Sequence, residues 1–340
     1  MNGVKFLTGA LLVFFLLTAF LPAEVKTNGY FSFEYLKSQN EGAWPRGTFG
    51  NLSGGIILSG TISGPLSFLT EVRGRTGDTF SLQQAYLLIQ GSALFNFKFG
   101  LFEIPFGRFN TSARPAENLT ILPPLPFHFF PWRWQDLGMS WEGHIQFFYY
   151  SAYFVNGLSA NSDGYLISEI KDQNKNKGAG SRLAIRIGEG FELGGSFYSG
   201  KYDSSGVKDV QFKGLDLIWV TTDWEIRGEY IKSTYDHPFL GEKKEFDGYY
   251  VTVGMNFQKM KLYFSYQNSA VPASTYVFDD FTLPALNIFM ENMVRKNRKA
   301  IGLKWDVLNN LFAKLEFDWN KEEEVKIKDN NLTVQLGFVF

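Results

Sequence analysis

Leu311-Phe312-Ala313-Lys314-Leu315-Glu316-Phe317-Asp318-Trp319 is the stretch on which the fold turns. Leu311, Ala313, Leu315, Phe317 and Trp319 fall on one phase of a two-residue period, and Lys314, Glu316 and Asp318 fall on the other. Successive side chains of a strand point to opposite sides of its sheet, so this segment has an oily face and an ionic face. Asn309-Asn310 comes just before it, and asparagine tolerates the positive φ that a two-residue hairpin needs. Ahead of that turn, Ile301, Leu303, Trp305 and Val307 oppose Arg298, Lys304 and Asp306 in the same way. The pattern is a hairpin whose arms run to about ten residues, the length with which a tilted strand crosses a bilayer.

The same rhythm fills the chain. It predicts strands at 29–37, 54–63, 66–75, 80–90, 94–102, 136–143, 144–156, 180–189, 190–201, 210–221, 222–233, 246–257, 260–271, 297–307, 310–321 and 330–340. Connections alternate between tight turns, such as Gly64-Pro65, Gly91-Ser92 and Gly188-Glu189-Gly190, and long loops at 38–53, 103–135, 157–179, 234–245 and 272–296. An even strand count with short turns on one side and long loops on the other describes a transmembrane antiparallel β-barrel, all-β, of about 16 strands. A soluble antiparallel sheet with one wet face is the competing reading. Two features disfavour it: no amphipathic helices are available to cover the apolar face, and Trp141, Trp219, Trp224 and Trp305 sit on the apolar phase beside short turns, as an interfacial girdle would. Aromatic residues reach 17% of the 340, with 35 phenylalanines, more than a soluble core needs.

Residues 1–23 read as a signal peptide: Lys5 gives the positive region, Phe6 to Leu21 the apolar run, and Ala23 the cleavage position. Residues 24–340 are then the barrel. The last strand alternates Leu332, Val334, Leu336, Phe338 and Phe340 with Thr333, Gln335 and Gly337. A closing strand that ends on an aromatic resembles the sorting signal of bacterial outer-membrane proteins, so the expected location is the outer membrane, with lipid and lipopolysaccharide as neighbours. Lysine plus arginine (33) balances aspartate plus glutamate (34), so no global charge argues for nucleic acid. Cysteine is absent, which removes disulfides and thiolate sites.

Two stretches carry a family resemblance. Phe97-Lys98-Phe99-Gly100-Leu101-Phe102-Glu103-Ile104-Pro105-Phe106-Gly107 resembles the strand and Pro-Phe-Gly turn that lead into the pore loop of the phosphate- and polyphosphate-selective porins. Gln135-Asp136-Leu137-Gly138-Met139-Ser140-Trp141-Glu142-Gly143, with Tyr149 to Asn156-Gly157 after it, resembles the strand that leaves that loop and the Asn-Gly end of the next. The resemblance implies a homotrimeric sixteen-strand porin whose third external loop, here 103–135, folds into the lumen as a constriction. Residues 121–134 depart from the family by being rich in proline and aromatics, and the lumen phase carries no lysine ladder. Phosphate selectivity is therefore not carried over.

A pore of this kind works through its width and its field, because low-dielectric walls focus the charges that line it. On the loop and its exit the candidates for the constriction are Arg108, Arg114, Glu117, Arg133 and Asp136. On the wall they are Arg73, Arg75, Lys98, Arg182 and Arg186, together with Arg227. Arginine outweighs Glu71, Glu103, Glu117 and Asp136, so a weak anion preference is expected for small hydrophilic solutes. The plainer reading of any one of these residues is a lumen ion pair, since inward charges satisfy each other across strands.

The rings of Phe127, Phe129, Phe130, Trp132 and Trp134 either form a greasy track for sugars or, the reading preferred, anchor the loop to the wall. Arg133 between two tryptophans is a candidate for cation–π stacking. Asp279 and Asp280, and the pair Asp172 and Asp203, were weighed as calcium ligands, but no twelve-residue calcium loop is present and solvated loops fit better. A short helix is expected within Thr282 to Lys299. His128, His144 and His237 are scattered, and no Gly-x-Ser-x-Gly elbow or His-Glu-x-x-His motif occurs, so neither an enzyme nor a cofactor is expected. A substrate-specific channel for sugars or oxyanions, and a plugged barrel serving as adhesin or anchor, remain as alternatives to a diffusion channel.

Overall fold

The computed structural model describes residues 24–75, 80–112, 114–128, 130–131, 133–160, 166–168, 176–272, 293–323 and 326–340. The expected signal peptide, Phe129, Trp132, Asp172, Asp279 and Asp280 lie outside the described residues.

The strands are β1 (Lys26–Ser38), β2 (Thr48–Ser63), β3 (Leu66–Arg75), β4 (Ser81–Gln90), β5 (Asn96–Glu103), β6 (Gln135–Ile145), β7 (Phe148–Val155), β8 (Leu158–Ala160), β9 (Leu166–Ser168), β10 (Gly178–Ile187), β11 (Phe191–Lys201), β12 (Asp209–Val220), β13 (Trp224–Asp236), β14 (Lys243–Phe257), β15 (Met260–Pro272), β16 (Met293–Leu308), β17 (Leu311–Glu322) and β18 (Asn331–Val339). All but β8 and β9 form one closed sixteen-strand barrel in sequence order, with antiparallel pairing between every pair of neighbours. The seam joins β1 to β18 in register from Tyr30 opposite Val339 to Ser38 opposite Asn331. Beyond it, Phe340 and Gly29 exchange two backbone hydrogen bonds of 2.8 and 3.0 Å.

The faces are inverted relative to a water-soluble barrel. On β17, Lys314, Glu316 and Asp318 are buried inside, while Leu315 and Trp319 are 48% and 46% exposed outside. On β12, Asp216 is buried and Leu215 is 60% exposed. Such a continuous apolar outer wall needs hydrocarbon around it. Rings gather at the short-turn end of that wall. Trp219 and Trp224 meet at 4.4 Å between centroids, and Trp141 stacks on Phe95 at 5.7 Å.

Three expectations fail locally. The break between the sixth and seventh strands was placed at Gly143-His144, but β6 continues to Ile145 and the turn is Gln146-Phe147, with Gln146 at φ 52°. Gly143 serves packing instead: a Cβ there would collide with the Leu94 backbone carbonyl and lie 2.6 Å from the Tyr150 hydroxyl. His144 therefore ends a strand rather than starting one. The loop at 157–179 contains a small hairpin, β8 paired with β9, whose Leu158 and Leu166 are buried in the aromatic core. Finally, Met293 to Lys299 is extended, not helical, and pairs with β15. Val294, Lys296, Arg298 and Ala300 alternate inward there, and the ladder decides the conformation. The earlier part of that expected helix lies outside the described residues.

Replacing outward Leu215 by arginine should destabilise the barrel by about 2–4 kcal/mol in reversible unfolding from lipid vesicles.

Candidate functional site in the lumen

The loop between β5 and β6 crosses the interior as expected for 103–135. Its base is closed by Asn110, which is fully buried. The Asn110 side-chain amide donates to the carbonyls of Ile104 (2.8 Å) and Trp134 (3.0 Å) and accepts from the Trp134 N–H at 2.6 Å. The loop's own N–H groups are taken by the wall. Glu229 on β13 accepts from the N–H of Arg108 (2.9 Å), the N–H of Phe109 and the Tyr250 hydroxyl (3.1 Å). Glu316 on β17 repeats this arrangement with Ile121 (3.0 Å), Leu122 (3.2 Å) and the Tyr263 hydroxyl (2.8 Å). Gln267 accepts from Leu125 at 3.0 Å. Gly107, at φ +63°, lets the chain pass against Glu229, whose carboxyl carbon would be 3.1 Å from a Cβ.

Wall cations take the loop carbonyls. Lys314 donates to Pro115 and Asn118, both at 2.7 Å, and Lys304 to Ala116 at 3.2 Å. Arg298 donates to Pro123 at 3.2 Å and Arg227 to Glu117 at 2.9 Å.

One side of the loop is apolar. Phe106, Phe109, Phe127, Phe130 and Trp134 are buried against Tyr198, Phe212, Tyr235 and Tyr250 of the wall. Phe109 meets Phe127 at 4.5 Å, Phe106 meets Phe130 at 4.7 Å, and Trp134 meets Tyr198 edge-on at 4.5 Å. Phe127, Phe130 and Trp134 are at most 3% exposed and have almost no surface to offer a sugar. They hold the loop, and the greasy-track reading is set aside for the described members.

The predicted charges divide into groups. Arg182 is held by Asp216 and by Glu192 at 2.6 Å, and Arg186 by the other oxygen of Glu192. Arg186 also lies over the Tyr149 ring at 3.9 Å. Arg108 reaches Glu192 only at 3.6 Å. Lys98 pairs with Glu142 at 2.8 Å. Arg114 bridges Glu71 (2.7 Å) and Glu117 (3.2 Å). Burial would lower the Arg114 pKa, but the hydrogen bond and charge of Glu71 outweigh it and raise it, so this guanidinium stays charged. Arg75 donates to Asn51 at 3.0 Å.

Asp136 is a correction. It is fully buried and accepts from the N–H groups of Leu137 (2.7 Å) and Gly157 (2.9 Å), so it fastens the strand after the loop and faces no solute path. Sequence reasoning left Glu192, Asp216, Glu229 and Glu316 out of the site. Their inward phase was visible, but their partners lie on strands and loop segments far away in the chain.

Water-accessible space remains around the loop. Two chambers of about 520 and 410 Å³ lie on its short-turn side and share Arg108 in their linings. The larger is lined by Lys98, Arg108, Arg114, Arg182 and Arg186 against Glu103 and Glu142. The smaller has Arg108, Arg227, Lys261 and Lys304 against Glu117 and Glu225. On the long-loop side, Arg73, Arg75, Arg133 and Glu34 line a space of only about 50 Å³.

Solved porin and outer-membrane channel structures share this fold. The chain is similar to the anion-selective porin from Comamonas acidovorans, with a TM-score of 0.66 and 11% identity over 94% of this chain and 100% of that one. It is similar to the trimer form of OmpT, an outer membrane protein of Vibrio cholerae, at TM-score 0.64 and 11% identity over 94% and 99%. It is also similar to the outer membrane channel DcaP of Acinetobacter baumannii, at TM-score 0.61 and 11% identity over 94% and 97%. At such identities the likeness establishes the fold. No family model matches the chain, and no curated protein does.

Glu229→Ala should speed amide hydrogen exchange at Arg108 and Phe109, and Glu316→Ala at Ile121 and Leu122. Leaving a buried amide without its acceptor weighs about 1–3 kcal/mol, or roughly one to two decades in exchange. Each variant should leave the other's amides protected.

Proposed function

We propose that the protein is an outer-membrane porin, a passive channel for small hydrophilic solutes with a weak preference for anions. The observation that carries this reading is the majority of cations over carboxylates in all three spaces around the loop. The apolar outer wall supports insertion in lipid, and the porin neighbours support the outer membrane as its location. Residues 1–23 are proposed as the export signal, with lipopolysaccharide among the neighbours of the external loops. Assembly as a homotrimer is proposed by analogy with the trimer form of the Vibrio cholerae protein. Passage rests on geometry and field, without a catalytic step or a cofactor. Selectivity for phosphate is not proposed, because the cations are spread around the loop in mixed pairs.

The constriction is assigned to Arg108, Arg114, Glu117 and Arg133 on the loop, facing Arg73, Arg75, Lys98, Arg182 and Arg186 on the wall. A second reading, a barrel plugged by its own loop, is favoured by the narrowness of the space on the long-loop side.

Planar-bilayer recording separates the two. A channel gives discrete conductance steps, and a plugged barrel gives none. In a salt gradient the reversal potential should have the sign of anion preference. Neutralising Arg108, Arg114 and Arg133 together to glutamine should move it towards cations, and an unmoved potential would remove these residues from the constriction.

A further inference from the structure

Glu192 holds three arginines, and it holds them unequally. One oxygen is 2.6 Å from Arg182, the other takes Arg186, and Arg108 is left at 3.6 Å from the oxygen that Arg182 already occupies. Arg182 is completed by Asp216. Arg108 and Arg186 are not completed in this way: each side chain keeps more than a third of its surface open, 37% and 39%. Both line the larger chamber. Their carboxylate partners are withdrawn behind them, with Glu192 at 6% and Asp216 at 1% side-chain exposure. A solute entering the chamber therefore meets these guanidinium edges and not Glu192 or Asp216; of the carboxylates that do line the chamber, Glu142 is taken by Lys98 and Glu103 stands at the start of the loop. Arg186 is also prevented from swinging away, since its plane lies over Tyr149, which in turn stacks on His144 at 4.9 Å.

We infer that Arg108 and Arg186 form a binding station for a small monovalent carboxylate, which bridges them on the chamber side as Glu192 does from behind. Guanidinium groups match the two oxygens of a carboxylate in plane and in spacing. A bridging ligand gives Arg108 the close partner that Glu192 does not. A single charge is favoured over two because Glu192 and Asp216, ion-paired to Arg182, stand close behind the station and repel further negative charge. Arg108 also lines the second chamber, so the station sits where the two spaces meet.

This inference rests on the channel reading, and the test separates them. Saturation-transfer NMR from the barrel, refolded in non-ionic detergent, to acetate and to malonate at pH 7.5 reads occupancy whether or not the barrel conducts. Acetate should receive transfer that saturates with concentration and exceeds that to malonate. R108Q R186Q should weaken acetate binding about tenfold or more, the loss of at least one charge-assisted pair. E192Q, which removes a negative charge and keeps a hydrogen-bonding oxygen, should shift the ratio towards malonate. Absence of transfer to acetate, transfer unchanged in R108Q R186Q, or an unmoved ratio in E192Q would overturn the station. A barrel that conducts chloride without transfer overturns the station alone; one that shows transfer without conductance steps overturns the channel alone.

Discussion

A peptide laid across the inside of a barrel has to find partners for its own N–H and C=O groups, and here the charges of the wall provide them. Glu229 and Glu316, on β13 and β17 four strands apart, each accept two consecutive loop amides and a tyrosine hydroxyl. Lys314, Lys304, Arg298 and Arg227 donate to loop carbonyls. Hydrogen bonds to charged groups contribute about 1.5–3 kcal/mol each, so a handful of them fixes a segment that has little regular structure of its own. An inward charge on this wall therefore has one of two occupations. One is to hold the loop. The other is to face the solute or to balance another wall charge, as Asp216 does for Arg182, and the pairing pattern tells which.

The loop also divides the interior by chemistry. Against the long-loop ends of β11 and β12 it is sealed by rings, with Trp134 packed on Tyr198 and Phe212, and Phe106 and Phe130 on Phe212. Towards the short turns, those of β13 and β14 included, it is wetted and lined by charge. Packing on one side gives the rigidity that field-based selection on the other requires, because charges on a drifting loop would average their field away. Phe127, Phe130 and Trp134, the described rings of 121–134, thus serve to hold the loop.

Much of this was legible in the sequence. A two-residue period in segments such as 311–319 fixes which side of each strand is ionic, and that phase is independent of where a strand begins. Turn positions are less secure: Gly143 has the look of punctuation but is small because the Leu94 carbonyl and the Tyr150 hydroxyl occupy the space of a Cβ. Strands reached further into the loops than hydropathy suggested, as in β2 and β16, because pairing continues beyond the apolar stretch. In the site, alternation placed Arg108, Arg182 and Arg186 correctly as inward or loop cations. It could not show that Glu192 ties them together, since such a pairing depends on register across strands and on the path of the loop. Asp136 was misjudged for the same reason: its partner Gly157 lies across a neighbouring strand end.

The seam between β1 and β18 carries a kinetic consequence. Tyr30 and Val339 are among the most distant residues of the chain in sequence, yet they are ladder partners. Every other neighbouring pair in the barrel is closer in sequence and can zip from a local turn or loop. Closure entropy grows only slowly with separation, by about 0.6 kcal/mol per doubling, but the last ladder cannot form until the others have brought its two edges together. Before that moment both edges are open and prone to pair with other chains. Completion of the cylinder is thus the late event of assembly, and help for a folding barrel is best directed at these two strands.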